Sequence, residues 1–320
     1  MGKGIMEPLH FIVNPLAKEG NCGSLWKRLE VALERSGRPY KAYMTEYPGH
    51  AAELSEKIGR ETFPAPVCLA AVGGDGTIHE VANGAAGFSN IILWYIPGGS
   101  GNDFSRGYSV PARPERALDL LLESVDGISG KLVDAGMVEV DGKKVYFVNN
   151  MGAGFDAHVA RQANRSPVKA LFNRLGLGRL VYVFFFLKEL INYKAADMEL
   201  TVDGVGTPYQ NVWFITVSNQ PFYGGGMKIA PAASVSDGLL DVTVVHNLSK
   251  WKLLLVFITV FWGGHMKFKE VASHKGKKIT INTARPIVVH ADGEHIGSTP
   301  LGIQVQEQAL SIYSGQKVVS

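Results

Sequence analysis

The run Val67-Cys68-Leu69-Ala70-Ala71-Val72 ends in Gly73-Gly74-Asp75-Gly76-Thr77, and this junction constrains the fold more than any other feature of the chain. An unbroken apolar run of that length, closed by glycines, reads as a strand buried on both faces. Thr77-Ile78-His79-Glu80 has the S/T-x-x-E spacing of a capping box, which predicts a helix starting at or next to Thr77. Backbone amides at a glycine turn feeding a helix N-terminus form a site for phosphate. Asp75 within that turn makes sense with a divalent cation between carboxylate and phosphate, because the two anions otherwise repel. The junction points to nucleotide plus metal.

The first third alternates in the same way. Leu9 to Val13, Tyr40 to Met44, Val67 to Val72 and Ile91 to Ile96 read as strands. Leu25 to Ser36, His50 to Ile58, Ile78 to Ala82 and Pro114 to Ser124 read as helices, the last with Pro at its start. This order predicts a doubly wound, Rossmann-like parallel sheet, whose ligands collect beyond the carboxyl ends of the strands. The expected nucleotide-binding domain covers 1–131.

From about residue 132 short strands follow one another with turn punctuation. Leu132 to Val140 and Lys144 to Asn149 read as a hairpin around Asp141-Gly142. Glu199 to Val202, Val212 to Ser218, Leu239 to Val245, Lys278 to Ile281, Ile287 to Ala291, Ile303 to Gln306 and Leu310 to Tyr313 continue the pattern. The expectation is α/β plus β: a second, antiparallel β-sandwich domain over 132–307, with 308–320 packing back on the first. Its unpaired edge strands offer a homodimer surface.

Two apolar helices interrupt this domain, Leu180 to Ile191 and Trp251 to Trp262. Both fall short of the ~20 residues that span a bilayer. One reading buries them on the sheet. The other makes them a membrane-docking rim, favoured by Trp at both ends of the second helix and by Lys250 and Lys252. Net charge is only +3, but 161–194 carries a local +6 and 267–278 a local +4. Such a split reads either as solvated helix faces or as a surface for an anionic partner. No RNP-type aromatic pattern accompanies it, so nucleic acid is not expected. Two cysteines, one in a core-type strand, leave no disulfide framework; with no secretory pattern at the start, a cytoplasmic protein associated peripherally with membrane is expected.

A second glycine turn, Pro97-Gly98-Gly99-Ser100-Gly101-Asn102-Asp103-Phe104-Ser105-Arg106, follows the strand Ile91 to Ile96. Three glycines in four positions allow close backbone approach to a ligand. Asp103 and Arg106, three apart, share a face if a helix starts there. Two such loops at successive strand ends make one phosphate site.

With Asn14-Pro15 and Glu80, these two loops resemble the diacylglycerol kinase catalytic-domain family of soluble bacterial lipid kinases, which are similar to sphingosine kinases. Asn149-Asn150-Met151-Gly152-Ala153-Gly154-Phe155-Asp156, Ser236-Asp237-Gly238-Leu239-Leu240-Asp241-Val242 and Asp292-Gly293-Glu294 extend the resemblance along the chain. It implies an ATP- and Mg²⁺-dependent kinase that phosphorylates a lipid hydroxyl, with diacylglycerol the first candidate. Asn14, Gly73, Gly74, Asp75, Gly76, Thr77 and Glu80 would then bind nucleotide. So would Gly98, Gly99, Ser100, Asn102, Asp103 and Arg106, with Asp75 on the metal side. Asp292 would be the general base, at an exposed strand end, with Glu294 beside it. Asp237 would hold a structural Mg²⁺. After Asn14-Pro15 the chain reads Leu16-Ala17-Lys18 where relatives usually have a small residue and Gly, so Lys18 departs from the pattern.

Gly152-Ala153-Gly154-Phe155-Asp156-Ala157 formally fits G-x-G-x-x-A, but follows a hairpin and lacks a ribose-binding acid downstream. Two rival functions stand beside the lipid kinase. NAD kinase shares a GGDGT turn, though the 97–106 loop and Asp-Gly-Glu fit it poorly; a catalytically silent lipid-binding regulator would keep the fold without activity.

Overall fold

The computed structural model describes residues 8–123, 130–140, 142–166 and 180–313. The turn residue Asp141, the tail from 314 and Lys169, Arg174 and Arg179 of the basic stretch lie outside the described residues. Two compact units emerge, one running to Val133 and resuming at Gln308, the other Asp134–Glu307.

In the first unit, β1 (Leu9–Val13), β2 (Tyr40–Met44), β3 (Val67–Gly73) and β4 (Ile91–Pro97) form a parallel sheet in the order β2-β1-β3-β4. The end of β15 (Leu301–Ile312) adds to β4 in parallel through Ser311 and Ile312. Every residue of β1 and β3 is buried, as their unbroken apolar runs require. Helices α1 (Asn21–Ser36) and α5 (Pro114–Glu123) pack together, and α2 (His50–Thr62) packs on α3 (Asp75–Ala85). Strand order reverses between β1 and β3, so the crevice at their carboxyl ends is the natural ligand position. Asn14 follows β1 there, its N–H donating to Val72 O at 3.0 Å, and Gly73-Gly74 follow β3.

β5 (Lys131–Val140) pairs antiparallel with β6 (Lys143–Phe147). In the second unit β9 (Val205–Ser218) serves two layers. Its first half pairs with β8 (Ala196–Val202), which pairs with β12 (Lys278–Thr283), and β12 with β15. Beyond Asn211, which bends the strand at φ 49°, it pairs with β7 (Asn150–Gly154) and β10 (Leu240–His246). β7 continues to β13 (Val288–Ala291) and β14 (Glu294–Ser298), and β10 to β11 (Val271–Gly276). This is the antiparallel sandwich the strand pattern predicts.

The buried side chains divide between two cores. Met198, Leu200, Ile215, Val217, Val242, Ile279 and Ile281 meet between the layers. Phe155, Trp213, Phe214 and Val245 face a second cluster covered by α6 (Phe155–Arg165) and the helices Leu180–Leu190 and Lys250–Thr259. Truncating a buried aromatic such as Phe155 there costs about 3–5 kcal/mol.

Three element expectations need correction. α3 starts at Asp75, not at Thr77, and has no side-chain cap. The Thr77-to-Glu80 spacing therefore lies inside the helix. The segments 303–306 and 310–313 belong to one strand, β15, with a kink at Gln308, φ 51°. β11 and β14 are strands that the sequence pattern does not announce, because each mixes glycine, histidine or charge into a short half-exposed run.

Candidate active site

The two glycine loops of the first unit meet. Gly98 N–H donates to Gly73 O at 2.6 Å, and a Cβ on Gly99 would stand 2.4 Å from Gly74 Cα. No residue but glycine fits that approach. The buried Tyr95 hydroxyl bridges the loops, lying 2.9 Å from both Gly73 O and Asn102 Oδ1. Burial, then the Asp75 charge, holds its pKa well above the ordinary tyrosine value, so it stays a donor. Asn102, at φ 54°, accepts the Gly99 N–H and donates to Gly99 O. Sequence reading misses Tyr95, since a tyrosine in an apolar strand carries no functional signal.

Asp75 Oδ1 accepts the Phe104 N–H at 3.1 Å, which ties the first loop to α4 (Asp103–Gly107). A Cβ on Gly101 would lie 2.7 Å from Asp75 Oδ2 and 3.9 Å from Asp103 Oδ2, so both carboxylates border that glycine. Asp103 and Arg106 do share a face: their ion pair is 2.9 Å, and Arg106 Nη1 also donates to Gly101 O. Ser100 is exposed at the loop tip.

Asn14 and Thr77 support the turn from behind. Asn14 Nδ2 donates to Thr77 Oγ1 at 3.2 Å, and Thr77 is buried against Gly73. Glu80 is used elsewhere: its carboxylate accepts the N–H groups of Gly49 and Ala51 at the start of α2. Those donors lack intrahelical partners, so an acidic side chain is well spent on them. Lys18 is exposed, in a left-handed run with Glu19 and Gly20.

In the second unit Asp292 and Gly293, at φ 49° and 91°, form the two-residue turn between β13 and β14. Asp292 is half-buried rather than exposed, because its carboxylate is built into the backbone. Oδ1 accepts from Asn149 N and Asn150 N at 2.8 and 3.0 Å, and Oδ2 from Val148 N at 2.9 Å. Its own N–H donates to Asn150 O at 2.8 Å. The loop before β7 is itself fixed by buried amides. Asn219 Nδ2 donates to Val148 O and Gln220 Nε2 to Asn149 Oδ1. Buried polar groups survive only when bonded in this way, so the Asn149-Asn150 motif is a cradle for Asp292. Glu294 is exposed beside the turn. A recess of about 90 Å³ adjoins it, lined by Arg161, His290, Gly293, Glu294 and His295.

The first unit's sequence matches the diacylglycerol kinase catalytic domain over 8–129, and 149–314 match the YegS C-terminal NAD kinase beta sandwich-like domain. The Bacillus subtilis protein named "Putative lipid kinase YtlR" is 34% identical over 308 residues, covering 94% of this chain and 98% of its own. The chain belongs to the diacylglycerol kinase family.

A diacylglycerol kinase of Mycobacterium tuberculosis is 33% identical over 75% of this chain and 74% of its own. The crystal structure of a diacylglycerol kinase from Bacillus anthracis strain Sterne shares the fold, with a TM-score of 0.70, 22% identity and 98% coverage of both chains. Within the family frame, the donor sets can be tested for Mg²⁺. Asp75 with Asp103 nearby supplies hard oxygens at a glycine turn, which is what Mg²⁺ would take if substrate phosphates completed its shell. Asp237 is different. Its Oδ2 lies 2.8 Å from Lys275 Nζ, which also reaches Asp241 Oδ2 at 3.1 Å, while Oδ1 accepts the Leu239 N–H. One ammonium already supplies the positive charge to both carboxylates there. The side chains around Asp237 do not fit a structural Mg²⁺.

Both apolar helices of this lipid kinase relative are split between burial and exposure. Leu253, Val256 and Val260 are buried, whereas Trp251 is 83% exposed and Leu255, Ile258, Phe261 and Trp262 are more than half exposed. In the first helix Phe185, Phe186 and Leu190 are buried and Phe184 and Leu187 exposed, as is Ile191 just past its end. The helices touch through stacked Phe186 and Phe257, 4.2 Å between ring centroids. Among the described residues no helix is long and apolar enough to cross a membrane.

Proposed function

We propose that this protein transfers the γ-phosphate of ATP to a lipid hydroxyl, with diacylglycerol the acceptor and phosphatidic acid the product. The observation that carries this reading is the pair of interlocked glycine loops at the strand-order reversal, with two carboxylates at their edge. Phosphoryl transfer needs positioning and charge neutralisation more than covalent chemistry. The loop amides supply the first, and Asp75, with Asp103 beside it, would hold a Mg²⁺ that neutralises phosphate charge. Asp292 takes the hydroxyl proton. Its three backbone donors fix the carboxylate in place for that role. Glu294 orients the acceptor beside it.

The lipid comes from a bilayer surface that the exposed apolar faces enter. Trp251, Leu255 and Ile258 stand out from the helix Lys250–Thr259, and Phe261 and Trp262 from the turn after it, while Leu253 and Val256 pack inward, which is what an interfacial helix requires. Lys188, Lys250 and Lys194 lie on or beside these two helices and match an anionic lipid surface.

Asp292→Asn should abolish turnover, with ATP affinity within about twofold of the parent; the isosteric change removes the base and turns an amide NH2 toward Val148 N–H, so the melting midpoint is read beside turnover. Loss of ATP binding with normal residual turnover would overturn the assignment. Assaying NAD and a lipid panel together separates the rivals: phosphorylation of NAD alone supports a NAD kinase, and lipid binding without turnover a silent regulator.

A further inference from the structure

A buried acid outside this machinery lies close beneath the Asp292 turn. Asp156 sits in the first turn of α6, and its Oδ2 is 3.4 Å from Nε2 of His290 on β13. The two side chains are only 9% and 7% exposed. Among the described residues neither Asp156 oxygen makes a hydrogen bond, and His290 is the ion-pair partner in reach. His290 Nδ1 in turn accepts the Gly293 N–H at 3.2 Å. That bond leaves the ring proton on Nε2, the nitrogen nearer the carboxylate. Gly152 lies opposite His290 in the β7–β13 register, and a Cβ there would come 2.1 Å from Asp156 Oδ2 and 2.5 Å from His290 Nε2. The glycine is thus the opening through which acid and imidazole approach.

We propose that Asp156 is a positioning residue for the Asp292 base, acting through His290. The reading rests on the role given to Asp292 above. Asp292 and Gly293 both adopt left-handed backbone, which costs a non-glycine residue energy, so the turn must be held from outside. Cradle amides hold it from the Asn149 side; Asp156 and His290 hold it from the α6 side. By orienting the ring, Asp156 keeps Nδ1 aimed at the Gly293 N–H, as an acid behind a ligating histidine fixes its tautomer and angle.

Three variants, Asp156→Ala, Asp156→Asn and Asp292→Asn, are assayed for kcat and for the KM of ATP. The ring nitrogens of ¹⁵N-labelled His290 are followed by NMR in the parent and in both Asp156 variants. Asp156→Ala is expected to lower kcat about 10- to 100-fold and leave the KM of ATP within about twofold. Asp156→Asn, which keeps an oxygen for Nε2–H, is expected to recover kcat to within about threefold of the parent, and the parent spectrum to show the Nε2–H form. Equal kcat in Asp156→Ala and parent, with Asp292→Asn inactive, overturns the inference and leaves the base assignment standing. An active Asp292→Asn overturns the base assignment instead. If Asp156→Ala does not fold, an Asn variant slowed tenfold or more, or a parent spectrum showing Nδ1–H, overturns it.

Discussion

Gly99 is where one hydrogen atom decides a site. A methyl group 2.4 Å from Gly74 Cα forces the two loops apart, and the amides proposed to hold phosphate move with them. Gly99→Ala is therefore expected to raise the KM of ATP tenfold or more, about 1.4 kcal/mol; an unchanged KM in the folded variant contradicts the interlock. Glu80 gives the opposite expectation. It caps α2 through two amides, so Glu80→Ala should lower stability by about 1–2 kcal/mol while the KM of ATP stays within twofold, measured by denaturant titration and steady-state kinetics. Burial pushes the Cys22 thiol to about 11 and Cys68 to about 12, and Cys22 Sγ packs under Gly98. Neither thiol should react with a disulfide reagent at pH 8 until the protein unfolds, because the thiolate is the nucleophile. Rapid labelling of native protein contradicts this. At this scale the sequence shows Asp75 and Asp292 through their motifs. It hides what holds them: the amides on Asp292 come from residues 142 to 144 positions earlier, and Tyr95 and His290 sit in apolar strands.

The legible elements are those whose pattern reflects their surroundings. β1, β3 and β4 are buried on both sides and read as apolar runs. β8 and β12 alternate because one face lies against the sandwich core. The helices Leu180–Leu190 and Lys250–Thr259 defeat that logic. An all-round apolar helix has no period to read, so only packing shows that Leu253 and Val256 are buried while Trp251, Leu255 and Ile258 face solvent. The exposed face carries its own prediction. Changing Trp251 and Trp262 together to Glu should cut co-sedimentation with anionic vesicles at least about tenfold, since each buried aromatic contributes on the order of 1.5–3 kcal/mol. The melting midpoint and turnover of a short-chain soluble lipid should hardly change. Undiminished vesicle binding would remove this face from the docking surface.

Across the whole molecule, the two units answer to different rules: a parallel sheet presenting loops at its strand-order reversal, and a sandwich with the Asp292 carboxylate in a hairpin turn. Length and alternation make that division visible in the sequence, but the return of β15 to β4 is set by long-range pairing. Folding also fixes a response to acid. His10, His246, His265 and His274 all have pKa values lowered below 6.5, burial being the first cause in each. Their unfolded forms take up protons before the folded ones do. The stability they contribute is complete above about 6.5 and is lost as pH falls below it. Melting midpoints should fall between pH 7.5 and pH 5.5; a flat or rising profile contradicts this. The central claim is phosphoryl transfer to lipid. The direct measurement incubates the protein with γ-³²P-ATP, Mg²⁺ and diacylglycerol in mixed micelles beside Asp292→Asn and an NAD control. Label in phosphatidic acid with the parent, and none with Asp292→Asn or in NADP, is the predicted result. Label in NADP alone, or equal lipid labelling by Asp292→Asn, would contradict the account.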